Sequence, residues 1–428
     1  MTRVAGIIVN LVPYHHARWE AFTRSSRAEC HLLELTDRDA FKVLEFSAAA
    51  SYQRHTLFPR SGGGTISAAA LRRAMAAKLD AIRPDVVCVS GWALPVSLAA
   101  MDWAARNRAP VVMLSESNEF DEPRSAMKEF VKRRIVGLCP AALAGGTPQK
   151  DYMVKLGLTA EKIFLGYDAV DNGYFRENAE TLKTETLKSE VRSQSSVVRS
   201  QFSLPEKYFL ACARFGRKKN LPGLIEAFAR YRVLAENAEK LKSESIKPST
   251  INHQPLTGSW DLVIVGDGEM RPEIEASIVG LKLEQSVHLA GAKSYSEIPA
   301  FYGLAGAFIH ASTTEQWGLV VNEAMASGLP VLVSKRCGCA TDLVQDGVNG
   351  FTFDPYNVEE MANAMLKISA FQDVSLSAFG DASRSIISNW GPERFAQGLK
   401  SAAECAVKAG PKRAGVVDRL VLRALSLR

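Results

Sequence analysis

Ser312-Thr-Thr-Glu315-Gln-Trp317-Gly318-Leu319-Val320-Val-Asn-Glu323-Ala-Met-Ala-Ser-Gly-Leu-Pro330 sets one carboxylate in a polar loop and a second one to two turns into an apolar run with helical spacing. Before it, Gly303 to His310 is apolar and runs into a strand; after it, Pro330 to Ser334 reads as a short buried strand. A helix between two strands is the unit of an α/β sheet. Gly318 at the helix start exposes backbone N–H groups at the positive end of the helix dipole, where a phosphate or diphosphate can bind. Glu315 and Glu323 then offer acceptors for hydroxyls on either side of such a group, a pattern suited to a nucleotide sugar. The competing reading is that Glu early in a helix only complements the dipole.

Two further segments narrow the choice. Tyr208 to Phe228 joins an apolar strand to an amphipathic helix through a loop holding Arg214, Arg217, Lys218 and Lys219. Four cations at the end of a buried strand repel one another, and an anionic ligand would relieve that repulsion. Trp260 to Glu269 is a continuous apolar strand ending in the tight turn Gly266-Asp267-Gly268.

In order and content these pieces resemble the nucleotide-sugar domain of the retaining glycosyltransferases of family 4, also called glycosyl transferases group 1, which share the GT-B fold. The resemblance is specific from about Tyr208 to Pro355. It implies that Arg214 and Lys219 contact the donor diphosphate and that Gly266, Asp267 and Gly268 form the glycine turn of the donor site. Val287 to Gly291 falls where the family's next strand ends, and Asp342 to Gly350 resembles its closing loop. Trp317, Gly318, Leu319 and Val320 are assigned to donor binding, with the amides of Gly318 to Val320 at the diphosphate. The same resemblance implies that Glu315 faces the donor sugar's hydroxyls and Glu323 holds the ribose hydroxyls. The catalytic set is Glu315, Arg214 and Lys219, with the nucleophile unassigned, since a front-face mechanism needs only electrostatic support and positioning.

The front half reads as a second domain of the same class. Val4 to Val12, Asp85 to Ser90 and Pro110 to Leu114 are strands, with helical patterns at Ala68 to Ile82 and Leu98 to Asn107. The expectation is therefore α/β, GT-B, with two facing Rossmann-like domains of parallel sheets. Residues 1–175 form the acceptor-side domain, 176–206 a charged linker, and 207–389 the nucleotide-sugar domain with an insertion at 237–258. A helix at about 390–407 crosses back to the front domain, and 408–428 is a basic tail. Acceptor-side candidates are His15, His16 and Arg18 in a loop after the first strand, Trp92, and Glu116. Many family members carry a His near Ser115-Glu116-Ser117, and its role passes to Glu116, His15 or His16.

Composition bounds the partners. The chain has 428 residues and a formal charge of +6, enough length for two cores and no basic stripe for nucleic acid. Seven cysteines without regular spacing argue for a reducing compartment. The opening segment lacks a cleavage pattern and no apolar run approaches a membrane span, so a cytoplasmic protein is expected, at most attached to the inner face of a membrane. From Lys408 onward six bases stand against Asp418, interleaved with Val416, Val417, Leu420, Leu425 and Leu427. That is either a short helix on an anionic surface or a frayed terminus.

No cofactor and no metal are expected, because cationic side chains occupy the task of a divalent ion at the diphosphate. Asp37-Arg38-Asp39 reads as a solvated turn and Cys337-Gly-Cys339 as buried thiols. The expected partners are a nucleotide sugar donor and a glycan, lipid-linked or small-molecule acceptor. The rival functions are a sugar-nucleotide epimerase of the same architecture and a non-catalytic glycan or nucleotide binder.

Overall fold

In chain order the elements of the computed structural model, which describes residues 2–37, 49–59, 66–184, 194–245 and 259–425, begin with β1 (Arg3–Ile8), α1 (Pro13–Ser25), β2 (Glu29–Glu34), β3 (Gln53–Thr56), α2 (Ala68–Ile82) and β4 (Val86–Ser90). Then come α3 (Pro95–Asn107), β5 (Val111–Ser115), α4 (Ala126–Val136), β6 (Ala141–Ala144), α5 (Thr147–Lys155) and β7 (Ile163–Leu165). The next stretch holds α6 (Asn172–Thr184), α7 (Gln194–Phe202), β8 (Tyr208–Cys212), α8 (Leu221–Ser245), β9 (Asp261–Val265), α9 (Arg271–Gly280), β10 (Val287–Gly291) and α10 (Ile298–Leu304). It continues through β11 (Ala307–His310), α11 (Leu319–Ala326), β12 (Val331–Ser334), α12 (Ala340–Leu343), β13 (Gly350–Phe353), α13 (Val358–Ser369) and α14 (Asp373–Ile387), and the chain closes with α15 (Pro392–Ala409) and α16 (Val416–Leu425).

The chain divides into two compact units, Met1–Asp171 with Trp390–Arg428, and Asn172–Asn389. In the first unit seven parallel strands are ordered β3-β2-β1-β4-β5-β6-β7. Alternation along the strands sorts the core. Val4, Cys88, Val112, Leu114 and Leu143 share a layer with Trp19 and Phe22 of α1 and Phe395 and Leu399 of α15, whereas Ala5, Ile7, Val87, Val89 and Met113 pack with α2 and α3. Each fully buried large side chain contributes roughly 2 kcal/mol, which fixes α15 on this unit after the chain has left it. Gly398 permits that docking, because a Cβ there would stand 2.5 Å from the Leu165 carbonyl oxygen.

The second unit is a six-stranded parallel sheet, β10-β9-β8-β11-β12-β13. Phe209, Ala211, Leu262, Ile264 and Ile309 pack with α8, α9 and α13 on one face. Strand order reverses between β8 and β11, and in such sheets ligands bind at the carboxyl ends of the strands beside that switch point.

Several expectations are corrected. The described residues among 176–206 are not a linker: α6 buries Phe175 and Ala179, packs on α10 and α11, and belongs with α7 to the second unit, so the division falls at 171/172. α8 continues unbroken to Ser245 into the expected insertion, while 185–193 and 246–258 lie outside the described residues. The tail contains a helix, α16, seated on α3 and α4 with Leu422 fully buried; Leu427 and Arg428 fall outside the described residues. So do Arg38 and Asp39 of the Asp37-Arg38-Asp39 turn.

Candidate active site

Two loops at the switch point of the second unit are tied by the Thr313 amide, which donates to the Lys218 carbonyl at 2.8 Å. One follows β8 and carries Lys219; the other follows β11 and carries Glu315. Their side chains meet in an ion pair, Lys219 Nζ donating to Glu315 Oε2, with 17 % and 13 % of the side chains exposed. The same Glu315 oxygen lies 3.5 Å from His310 Nε2 and accepts from Ser312 Oγ at 3.4 Å, while Ser312 Oγ is 3.1 Å from His310 Nε2. Burial would raise the Glu315 carboxyl, but the hydrogen bond from His310 and the charge of Lys219 outweigh it and hold the group far below the usual range. His310 is pushed down, first by burial and then by Lys219 against the pull of Glu315, and so remains neutral. The product is a permanently ionised carboxylate beside an ammonium at a sheet edge.

The loop bearing Glu315 is braced by its own backbone: its amide donates to the Arg336 carbonyl at 3.2 Å, and Gly338 and Cys339 donate to the carbonyls of Glu315 and Trp317 at 3.0 and 3.1 Å. Gly318, at φ 109°, then turns the chain into α11. Leu319 and Val320 form the first turn of α11, so the amides assigned to a diphosphate stand at a helix start. Trp317 is placed otherwise than as a contacting ring: it is 1 % exposed and its Nε1 donates to Asn322 Oδ1 at 2.9 Å. Glu323 accepts from Tyr302 Oη at 2.8 Å. Burial pushes its carboxyl up to about 7, although the Tyr302 hydrogen bond lowers it.

The cation loop differs from the sequence reading. Arg217 and Lys218 are exposed, Lys219 is neutralised by Glu315, and Arg214, 62 % exposed, has Nη2 3.7 Å from Glu269. Solvent and carboxylates already relieve the repulsion, so the cluster does not by itself require an anion. The glycine turn has a local cause as well. Gly266 and Gly268 have φ of 138° and 155°, and a Cβ would stand 1.9 Å from the Ala213 carbonyl oxygen at the first and 2.7 Å from that of Phe215 at the second. The turn is where the β9 end packs against the β8 loop. The Asp267 carboxylate accepts from Gly268 N and Arg271 Nε, so it serves the start of α9.

In the first unit Trp92 and Glu116 follow the ends of β4 and β5 as expected, whereas His15, His16 and Arg18 lie elsewhere. Pro13 starts α1, so His15, His16 and Arg18 lie in the first turns of a helix and not in a loop. His15 Nδ1 is 3.0 Å from the Asn10 carbonyl oxygen, and burial with the charge of Arg18 depresses it to about 3; His16 Nδ1 is 3.0 Å from Tyr52 Oη. Arg18 is 1 % exposed between the rings of Tyr14 and Tyr167, its Nε donating to the Ala169 carbonyl and its Nη2 3.5 Å from Asp168. Glu116 hydrogen-bonds the Asp168 carboxyl, which burial and then the Glu116 charge push upward. Trp92 is a core residue, edge-on to Tyr152 with Lys132 over its ring, so its face is not offered to a sugar.

Sequence reasoning missed His310 and Tyr302, which support the two glutamates. His310 ends a strand and reads as core by pattern; only its place beside Glu315 at the sheet edge distinguishes it. Cys337, bridged to Glu315 through the backbone, and Cys339 are buried thiols, raised by burial.

Comparison with known proteins bears on the family and the fold. Residues 195–382 match the family model described as glycosyl transferases group 1. A probable sucrose-phosphate synthase 1 of Craterostigma plantagineum is 30% identical over 210 residues, 48% of this chain and 19% of that protein. The α-monoglucosyldiacylglycerol synthase of Acholeplasma laidlawii is 26% identical over 190 residues, 44% of this chain and 41% of that one. The chain thus spans less than half the length of either relative. Among solved structures, Anabaena Alr3699/HepE in complex with UDP and glucose superposes with a TM-score of 0.67 at 19% identity, covering 94% of this chain and 98% of that one. A UDP-forming α,α-trehalose-phosphate synthase from Burkholderia vietnamiensis gives 0.68 at 14% identity, covering 96% and 100%. The fold is GT-B.

Proposed function

We propose that the protein, whose residues 195–382 match the family model described as glycosyl transferases group 1, transfers a sugar from a nucleotide diphosphate sugar to a hydroxyl of a glycan, lipid-linked or small-molecule acceptor with the anomeric configuration retained. The observation that carries this reading is the Lys219–Glu315–His310 cluster at the strand-order switch of the second unit. Negative charge grows on the departing diphosphate as the glycosidic bond breaks, and catalysis requires groups already oriented toward it. Lys219, Arg214 and the amides of Gly318 to Val320 supply that stabilisation in this reading. Glu315, locked in its ionised form, accepts sugar hydroxyls, and Glu323 holds the ribose. In this reading cationic side chains take the role of a divalent ion at the diphosphate, so the reaction calls for no metal or other cofactor. Similarity to proteins solved with UDP and UDP-glucose supports a nucleotide sugar as donor. We place the reaction in the cytoplasm, with polysaccharide or glycoconjugate synthesis as its setting.

The test is release of nucleoside diphosphate from a panel of nucleotide sugars, with and without EDTA, by the wild type and by Glu315→Ala. Turnover of at least one donor, unchanged by EDTA and lost on Glu315→Ala, is expected. Absence of turnover with tight nucleotide binding would instead establish a binder, and donor-sugar inversion without transfer would establish an epimerase.

A further inference from the structure

We propose that the first unit docks on an anionic phospholipid surface through a face built jointly by α4 and α16. The two helices are distant in sequence and meet in space: α16 packs on α3 and α4, and the Asp418 carboxylate forms an ion pair with Arg134, Oδ1 lying 2.8 Å from Nε. Asp418 also accepts from the Gly415 amide at 2.8 Å, and Leu422, one turn further on, is fully buried. With that side of α16 directed inward, helical geometry turns Val416 and Leu420 outward. They are 77% and 60% exposed, and Val417 beside them is 48% exposed. On α4, Met127, Phe130 and Arg134 recur at helical spacing, so the first two share the flank whose Arg134 meets α16. Met127 is 74% and Phe130 52% exposed, while Ile135 and Val136 serve the core. Single exposed apolar residues are ordinary, but five on two touching helices form a patch.

The charges around this patch decide what covers it. Lys128, Arg133, Arg419 and Arg423 are exposed on the two helices, and Lys412 and Arg413 on the segment leading into α16. The acids among them already have partners: Glu122 lies 3.8 Å from Lys128, Glu129 accepts from Tyr152 Oη at 2.9 Å, and Asp418 holds Arg134. Apolar side chains ringed by surplus cations match a surface whose phosphates lie above a hydrocarbon layer, with the apolar side chains at the acyl boundary and the bases at the headgroups. A second copy of this chain would set like charges against each other. No described helix is long and apolar enough to cross a membrane, so the contact is peripheral. This inference is independent of the transferase reading, because vesicle binding is measured without donor or acceptor.

The experiment is co-sedimentation of the full chain with phosphatidylcholine vesicles and with vesicles also containing phosphatidylglycerol, at low and high salt. Binding to the anionic vesicles alone, weakening with salt, is expected. The pair Phe130→Ser and Leu420→Ser, and separately Lys128→Glu and Arg419→Glu, should each lower the vesicle partition coefficient at least about tenfold, with unchanged melting temperature and donor turnover. Equal binding to neutral vesicles, no binding to anionic ones, or variants that bind like the wild type would overturn the proposal. So would a dimer that Phe130→Ser and Leu420→Ser convert to monomer while vesicle binding persists, which would assign the face to a second copy.

Discussion

The two units carry the same strand order about their switch points and treat charge there in opposite ways. In the second, Lys219 and Glu315 come from different loops and meet at a partly accessible sheet edge. In the first, the corresponding region gathers Arg18, Asp168 and Glu116, but Arg18 and Asp168 are sealed among Tyr14, Tyr167 and the backbone of Ala169. Helix α1 begins so soon after β1 that Arg18 is carried inward, whereas the segments after β8 and β11 run longer before their α-helices start and present their charges at the rim, Lys219 from a short 3-10 turn. The topology is shared; the length and start of the following helix decide whether a charged group becomes structure or site.

The largest effect that tests this contrast is on stability. Arg18→Met should strip a buried carboxyl of its cation and cost about 3–5 kcal/mol in denaturant unfolding, with turnover of the folded fraction little changed. A large loss of turnover with stability intact would put Arg18 at a working site and break the comparison. Lys219→Ala should do the reverse. It should lower kcat by about 10²–10³ and retain the fold, since Glu315 keeps His310 and Ser312 as partners. Unchanged turnover would remove Lys219 from the chemistry.

A smaller effect comes from Glu323, whose folded pKa of about 7 exceeds its ordinary value of 4.5. Between these values the folded protein holds a proton that the unfolded chain has lost, so stability is greatest below about 4.5 and falls as pH rises through 7. The difference corresponds to roughly 3 kcal/mol. Glu323→Gln should abolish this part of the slope in unfolding measured from pH 4 to 8 and be the more stable form at pH 8, while weakening nucleotide binding if Glu323 holds the ribose. An unaltered slope would remove Glu323 as its source.

Much of the fold was legible in sequence because it rests on local pattern. The helix at Ala68–Ile82 coincides with the sequence reading because its apolar positions recur at helical spacing, and the strand at Val287–Gly291 coincides with the one the family resemblance implies. β6, the run Ala141–Ala144, carries no strand signal and becomes a strand only because β5 and β7 flank it. The part of α6 from Arg176 onward reads as linker because Arg176, Glu177, Glu180 and Lys183 stand there among few apolar residues; burial of Phe175 and Ala179 against a distant helix makes α6 part of the second unit.

For the site, the order and spacing of several motifs together with their family resemblance singled out Glu315, Glu323 and Lys219, which sit at strand ends and helix starts. It could not say that Lys219 would pair with Glu315, that His310 and Tyr302 would support the two glutamates, or that Arg18 and Trp92 would be buried. Periodicity records which side of its own element a residue occupies. The ionisation of a carboxylate and the exposure of a cation depend on what other elements bring within a few ångströms, and only the folded chain decides that.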